Sequence, residues 1–191
     1  MTLTLLGYLP KKRTTVPSSL IDSGVQEICS VSTCIAEAQP DWIDHWVHND
    51  WGFCNSRQAA LSLQTTPHAD YDLYAFAIYS TRFRSGRAEP VKIDMPFGKR
   101  ATEPPPPERL SPEPLSAEFT HLGFDAVSHS DSSYFECSPL SCNYMAKSIP
   151  VNRYCLVDSL SEAQQIACRF PIDQPEPGVY YVLQVFRAQR R

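Results

Sequence analysis

Apolar positions recur along the chain with two different periods, and the period changes mark the elements. From Asp41 to Asp50, Trp42, Ile43, Trp46 and Val47 fall on one helical face, with Pro40 before and Gly52 after as stops, so a short amphipathic helix is predicted. Asn55 or Ser56 offers an N-cap for a second helix through Ala59, Ala60 and Leu63. Tyr71 to Tyr79 is nearly continuous in aromatic and aliphatic side chains, which suits a strand buried on both faces. Ser85-Gly86 predicts a turn and Val91 to Ile93 a short returning partner, before Pro96 and Gly98 interrupt.

Farther on, His121 to Val127 and Tyr134 to Cys137 read as short strands, joined by the polar turn Ser128 to Ser133. Ser138 meets the N-cap preference and Pro139 the first helical position, predicting a short helix to about Lys147 that Pro150 ends. Arg153 to Val157 reads as a strand. Ser159-Leu160-Ser161-Glu162 has capping-box spacing, opening a helix through Ala163, Ile166, Ala167 and Phe170. Pro175, Pro177 and Gly178 break the chain before a final strand, Val179 to Phe186. This order of elements predicts an α+β fold: a single domain over 1–191, a mostly antiparallel sheet with helices packed on one face. Residues 101–116 form a proline-rich loop or linker within it, Pro104 through Pro107, Pro112 and Pro114 favouring extended backbone.

Composition narrows the classes. At 42% hydrophobic, with nine Tyr and nine Phe in 191 residues, the chain carries enough apolar surface for one sizeable core. A net charge of −4 argues against nucleic acid as a partner, because phosphate contacts need clustered Lys and Arg. Lys11-Lys12-Arg13 and the arginines at 187, 190 and 191 read as solubilising charge near the termini. The apolar run in Met1 to Pro10 is too short for a signal peptide and no stretch approaches a membrane span, so a cytoplasmic protein with reduced thiols and no membrane partner is expected.

The most deliberate chemistry is a pair of like hexapeptides, Cys29-Ser30-Val31-Ser32-Thr33-Cys34 and Cys137-Ser138-Pro139-Leu140-Ser141-Cys142, which hold four of the seven cysteines. As a structural zinc site, Cys29, Cys34, Cys137 and Cys142 are weak ligands: neither segment has a turn glycine, and sulfurs five positions apart converge only from a loop. No cofactor is favoured. Cys137 makes a better nucleophile, since a helix opening at Pro139 would stabilise its thiolate, with His129 as base and Asp131 as orienting carboxylate on the preceding hairpin; His121, Asp125 and Glu136 are alternatives. The first hexapeptide has no comparable setting and reads as coincidental.

Asp41, His45 and His48 share a narrow polar arc that reads as a solvated helix face. Arg82 and Arg84, at alternate strand positions, present two guanidinium groups on one face and with Ser130 would line an anion or nucleotide pocket. A strand arginine followed by a serine-bearing segment resembles the layout of ADP-ribosyltransferases, but the Glu-x-Glu element of that family is missing near a later strand. With no HExxH, GxGxxG, GxSxG or phosphate-loop motif, the reading favours a protein-binding module of the inhibitor, immunity or accessory type, its anchors Trp and Tyr and its partner another protein. An enzyme centred on residues 128–144 is the alternative.

Overall fold

The computed structural model describes residues 2–12, 15–31, 49, 51–62, 71–93, 112–130, 135, 137–173, 176 and 178–189. In chain order its elements are strand β1 (Leu3–Lys12), helices α1 (Ser18–Ile21) and α2 (Arg57–Ser62), strands β2 (Tyr71–Arg84), β3 (Arg87–Pro90) and β4 (Phe119–His129), a 3-10 helix (Met145–Lys147), helix α3 (Leu160–Asp173) and strand β5 (Val179–Ala188). All strand pairs are antiparallel and the sheet runs β1-β2-β5-β4, with β3 returning along β2. The chain forms one compact domain of α+β class. Among the described residues no helix is long and apolar enough to cross a membrane.

The last strand sits in the middle of the sheet, which explains why β2 and β5 read as continuous apolar runs: both faces are covered. Along β5 the side chains alternate between two cores, Tyr181, Leu183 and Val185 on one side and Tyr180 and Val182 on the other. Helix α3 buries Ala163, Ile166, Ala167 and Phe170 in the second core, and Leu20 of α1 joins them. Ala60 of α2 packs with the first core. Helices therefore lie on both sides of the sheet rather than on one, because a sheet apolar on both faces needs cover on both. Both predicted caps form: the Ser56 and Ser159 hydroxyls accept from the amides of Ala59 and Glu162 at 3.0 and 3.2 Å.

Four segments depart from the sequence reading. Strand β1, read only as a terminal apolar run, pairs along its length with β2. The strand returning from the Ser85-Gly86 turn is Arg87–Pro90, not Val91 to Ile93: both turn residues adopt positive φ (47° and 77°), so pairing resumes at once with Arg84 opposite Arg87. Arg153 to Val157 is a loop in which Asn152 organises the backbone, its Oδ1 accepting from Tyr154 and Leu156, and only Val157 bridges to Phe124 of β4. Pro139 to Lys147 is a turn followed by the 3-10 helix, because Tyr144 takes a left-handed conformation (φ 58°) that an α-helix excludes. Phe135 bridges His129, while Tyr134 and Glu136 lie outside the described residues, as do the predicted 41–50 helix and most of the proline-rich 101–116 segment.

Candidate functional site

Strand β1 ends in Lys11-Lys12, and alternation sends the two side chains to opposite faces. Lys12 is exposed, whereas Lys11 is 2% exposed, so the reading of Lys11 as solubilising terminal charge is corrected. Its Nζ lies 5.4 Å from the ring centre of Tyr74 and 6.0 Å from that of Phe76 and has no hydrogen-bond partner among the described residues. The aromatic faces give the ammonium some compensation, but less than a hydrogen bond would.

Asp125 of β4 is fully buried. Its Oδ1 accepts from the Ser138 hydroxyl at 2.6 Å, the Ser30 hydroxyl bonds the same carboxyl, and Oδ2 has no partner among the described residues. These two serines occupy the same place in the two hexapeptides, immediately after Cys29 and Cys137. The two segments thus meet on one carboxyl through these serines.

Three thiols are electrostatically coupled to these two groups. Cys29 Sγ lies 3.6 Å from Tyr74 Oη and 3.9 Å from Glu27 Oε2; Cys155 is fully buried and Cys142 half-buried. Beyond Tyr74, Arg187 pairs with Glu27 and, at 3.7 Å, with Asp72. Burial sets the electrostatics. It lowers the Lys11 amine to about 8, against the opposing influence of Cys29, Asp125 and Cys142, and raises the Asp125 carboxyl to about 6, against its two serine donors. The same desolvation pushes the Cys29 thiol up to about 11 and that of Cys155 up to about 12. Near neutral pH the groups poised to exchange protons are therefore the amine and the carboxyl, while these two thiols stay neutral.

The residues singled out from the sequence lie around this centre. Cys137 is buried, with its Sγ 3.7 Å from Asn143 Oδ1 and its amide bonded to Ser128 Oγ; the turn that follows it replaces the expected helix, so no helix N-terminus faces the sulfur. The His129 ring packs against Trp51 at 4.9 Å, Phe135 at 5.1 Å and Tyr181 at 6.0 Å. Cys137 and His129 thus face different neighbours, and Asp131 lies outside the described residues. Arg82 is held by Glu89 at 2.8 Å across the hairpin, Arg84 is exposed, and half-buried Ser130 follows the end of β4. Cys34, Asp41, His45 and His48 lie outside the described residues; within them no group of three or more His, Cys, Asp or Glu is arranged to hold a metal ion. Lys11 and Ser30 were missed. The one signal for them in the sequence was the matched Cys-Ser pairs.

A second feature lies on the other side of the sheet, where the 3-10 helix and α3 enclose a cleft of about 180 Å³ lined by Met145, Ser148, Ile149, Ile166, Arg169 and Phe170. Tyr144 beside it is 43% exposed and carries Lys147 Nζ over its ring at 5.4 Å. No protein-family model, curated protein or solved structure matches this chain.

Proposed function

We propose that the protein is an enzyme whose site is the buried Lys11–Asp125 cluster, performing acid–base chemistry on a small molecule. One observation carries this reading: Lys11 Nζ and Asp125 Oδ2 are both buried and both without a hydrogen-bond partner among the described residues. Leaving such groups unsatisfied costs stability, and a buried amine and carboxyl in that state supports a role in chemistry. Lys11 would act as base or nucleophile and Asp125 as its proton partner, with Ser30 and Ser138 positioning the carboxyl. The test is incubation of the purified chain with a metabolite extract, following which compounds disappear. Consumption is expected with the wild-type chain, absent with Lys11→Met and reduced roughly 100-fold or more with Asp125→Asn. Equal consumption by wild type and Lys11→Met, with both folded, refutes the assignment.

The cleft between the 3-10 helix and α3 supports a second reading, a protein-binding module. Its apolar walls and the Arg169 and Lys147 cations suit an apolar anchor followed by an acidic residue on a partner protein. Ile149→Asp, at the cleft wall, should abolish binding of such a peptide in calorimetry, and unchanged binding would remove the cleft from consideration.

A further inference from the structure

We infer that Lys11 forms an imine with a small, uncharged aldehyde or ketone, a substrate class that rests on the acid–base reading above. An amine can add to a carbonyl only when its lone pair is free, and hydrogen bonds to neighbours would occupy its protons and fix its direction. Lys11 Nζ has none among the described residues and is held over the Tyr74 and Phe76 rings, an apolar platform for the carbon chain of a ligand. The charged groups around it restrict the ligand further. Arg187 is paired with Glu27 and Asp72, so the cation beyond Tyr74 is already compensated, and once Lys11 is the neutral amine that adds to a carbonyl, a substrate phosphate or carboxylate would meet Asp125, Glu27 and Asp72 without a cation of its own. An uncharged carbonyl compound carries no such penalty. The neighbouring thiols are poorer nucleophiles, since Cys29 and Cys155 are held neutral by burial.

The step balances within the pair. Lys11 passes its proton through an intervening water to Asp125, and the neutral amine attacks the carbonyl carbon, forming a C–N bond as the carbon–oxygen π pair moves to oxygen. One proton moves from nitrogen to that oxygen through the carboxyl, giving a carbinolamine. The carboxyl then protonates the hydroxyl, and water leaves as the nitrogen lone pair forms C=N, giving a protonated imine beside the Asp125 carboxylate. Ammonium and carbonyl have become iminium and water, and Asp125 ends as the carboxylate it began as. The unpartnered Oδ2 is the oxygen free to make these transfers, while Oδ1 is held by Ser138.

Propanal with cyanoborohydride at pH 7 tests this on the full chain, because hydride adds to the imine carbon and leaves a stable propyl amine that peptide mass spectrometry can locate. Lys11 should be alkylated at least about tenfold faster than exposed Lys12 and Lys147, because burial over the Tyr74 and Phe76 rings favours its neutral, nucleophilic form. In Asp125→Asn the rate at Lys11 should fall toward that of the exposed lysines, and Ser138→Ala, which keeps the carboxyl, should lower it less. Labelling of Lys12 and Lys147 with Lys11 untouched overturns the imine, as does unchanged Lys11 labelling in Asp125→Asn. If an extract metabolite is consumed in a Lys11-dependent manner and no imine is trapped, the acid–base reading stands and only the carbonyl class falls; if neither signal appears, both fall.

Discussion

Lys11 and Asp125 shape the response of the fold to pH in opposite ways. The Asp125 carboxyl is raised from 3.8 to about 6, so its neutral form is the one the interior accepts, and that contribution to stability is lost as pH rises through about 6. The Lys11 amine is lowered from 10.5 to about 8, so its contribution is present above the unfolded value and lost as pH falls through about 8. Each shift corresponds to roughly 3 kcal/mol, which places the minimum of stability between about pH 6 and 8, where most proteins are near their maximum. Lys11→Met should therefore stabilise the chain by about 1–3 kcal/mol at pH 5, where Asp125 is neutral and the ammonium is an uncompensated buried charge, with the gain shrinking toward pH 8. Urea melts across pH on both proteins check this; a variant less stable at pH 5 would show that the amine is compensated in the fold. Little of this pair was legible in the sequence. Lys11 stands beside Lys12 and Arg13, and nothing in three basic residues says which one strand alternation will turn inward. Asp125 could be placed on a strand, but only the closing of two distant segments reveals that its partners are Ser30 and Ser138.

At the level of elements, local chemistry was readable wherever a short-range bond decides the outcome. The Ser56 and Ser159 caps, the Ser85-Gly86 turn and the run of Tyr71 to Tyr79 all depend on neighbours within a few residues, and all appear. Segments governed by long-range pairing were not readable. Arg153 to Val157 has strand composition, yet its backbone serves β4 through Asn152, whose Nδ2 donates to the Leu122 carbonyl at 2.8 Å, and through the mutual bonds of Val157 and Phe124. Close approach here depends on Gly123, at φ 142°, where an added Cβ would lie 2.8 Å from the Val157 carbonyl oxygen and 2.9 Å from Leu156 Cβ. Gly123→Ala should cost about 1–3 kcal/mol and free this loop first. Hydrogen exchange at the Val157 and Phe124 amides would report it, and unaltered protection at both would mean that the loop shifts to accommodate the methyl group.

At the scale of the molecule, the groups of the proposed site come together on one sheet face. Lys11 comes from β1, Tyr74 from β2, Asp125 from β4 and Arg187 from β5, and the hexapeptide serines arrive from loops more than a hundred residues apart in sequence. No local motif holds the site; the strand order does. That order, with β5 between β2 and β4, has a consequence for biogenesis. While the chain is being made, Tyr71 to Ile78 and Leu122 to Val127 are complete but share no edge, and each is among the most apolar stretches of the sequence. They can be joined only once β5 has been added between them. Until then both strands keep open apolar edges of the kind that make a nascent chain prone to aggregation, and Lys11 on β1 and Asp125 on β4 are brought to one sheet only when the last strand is in place.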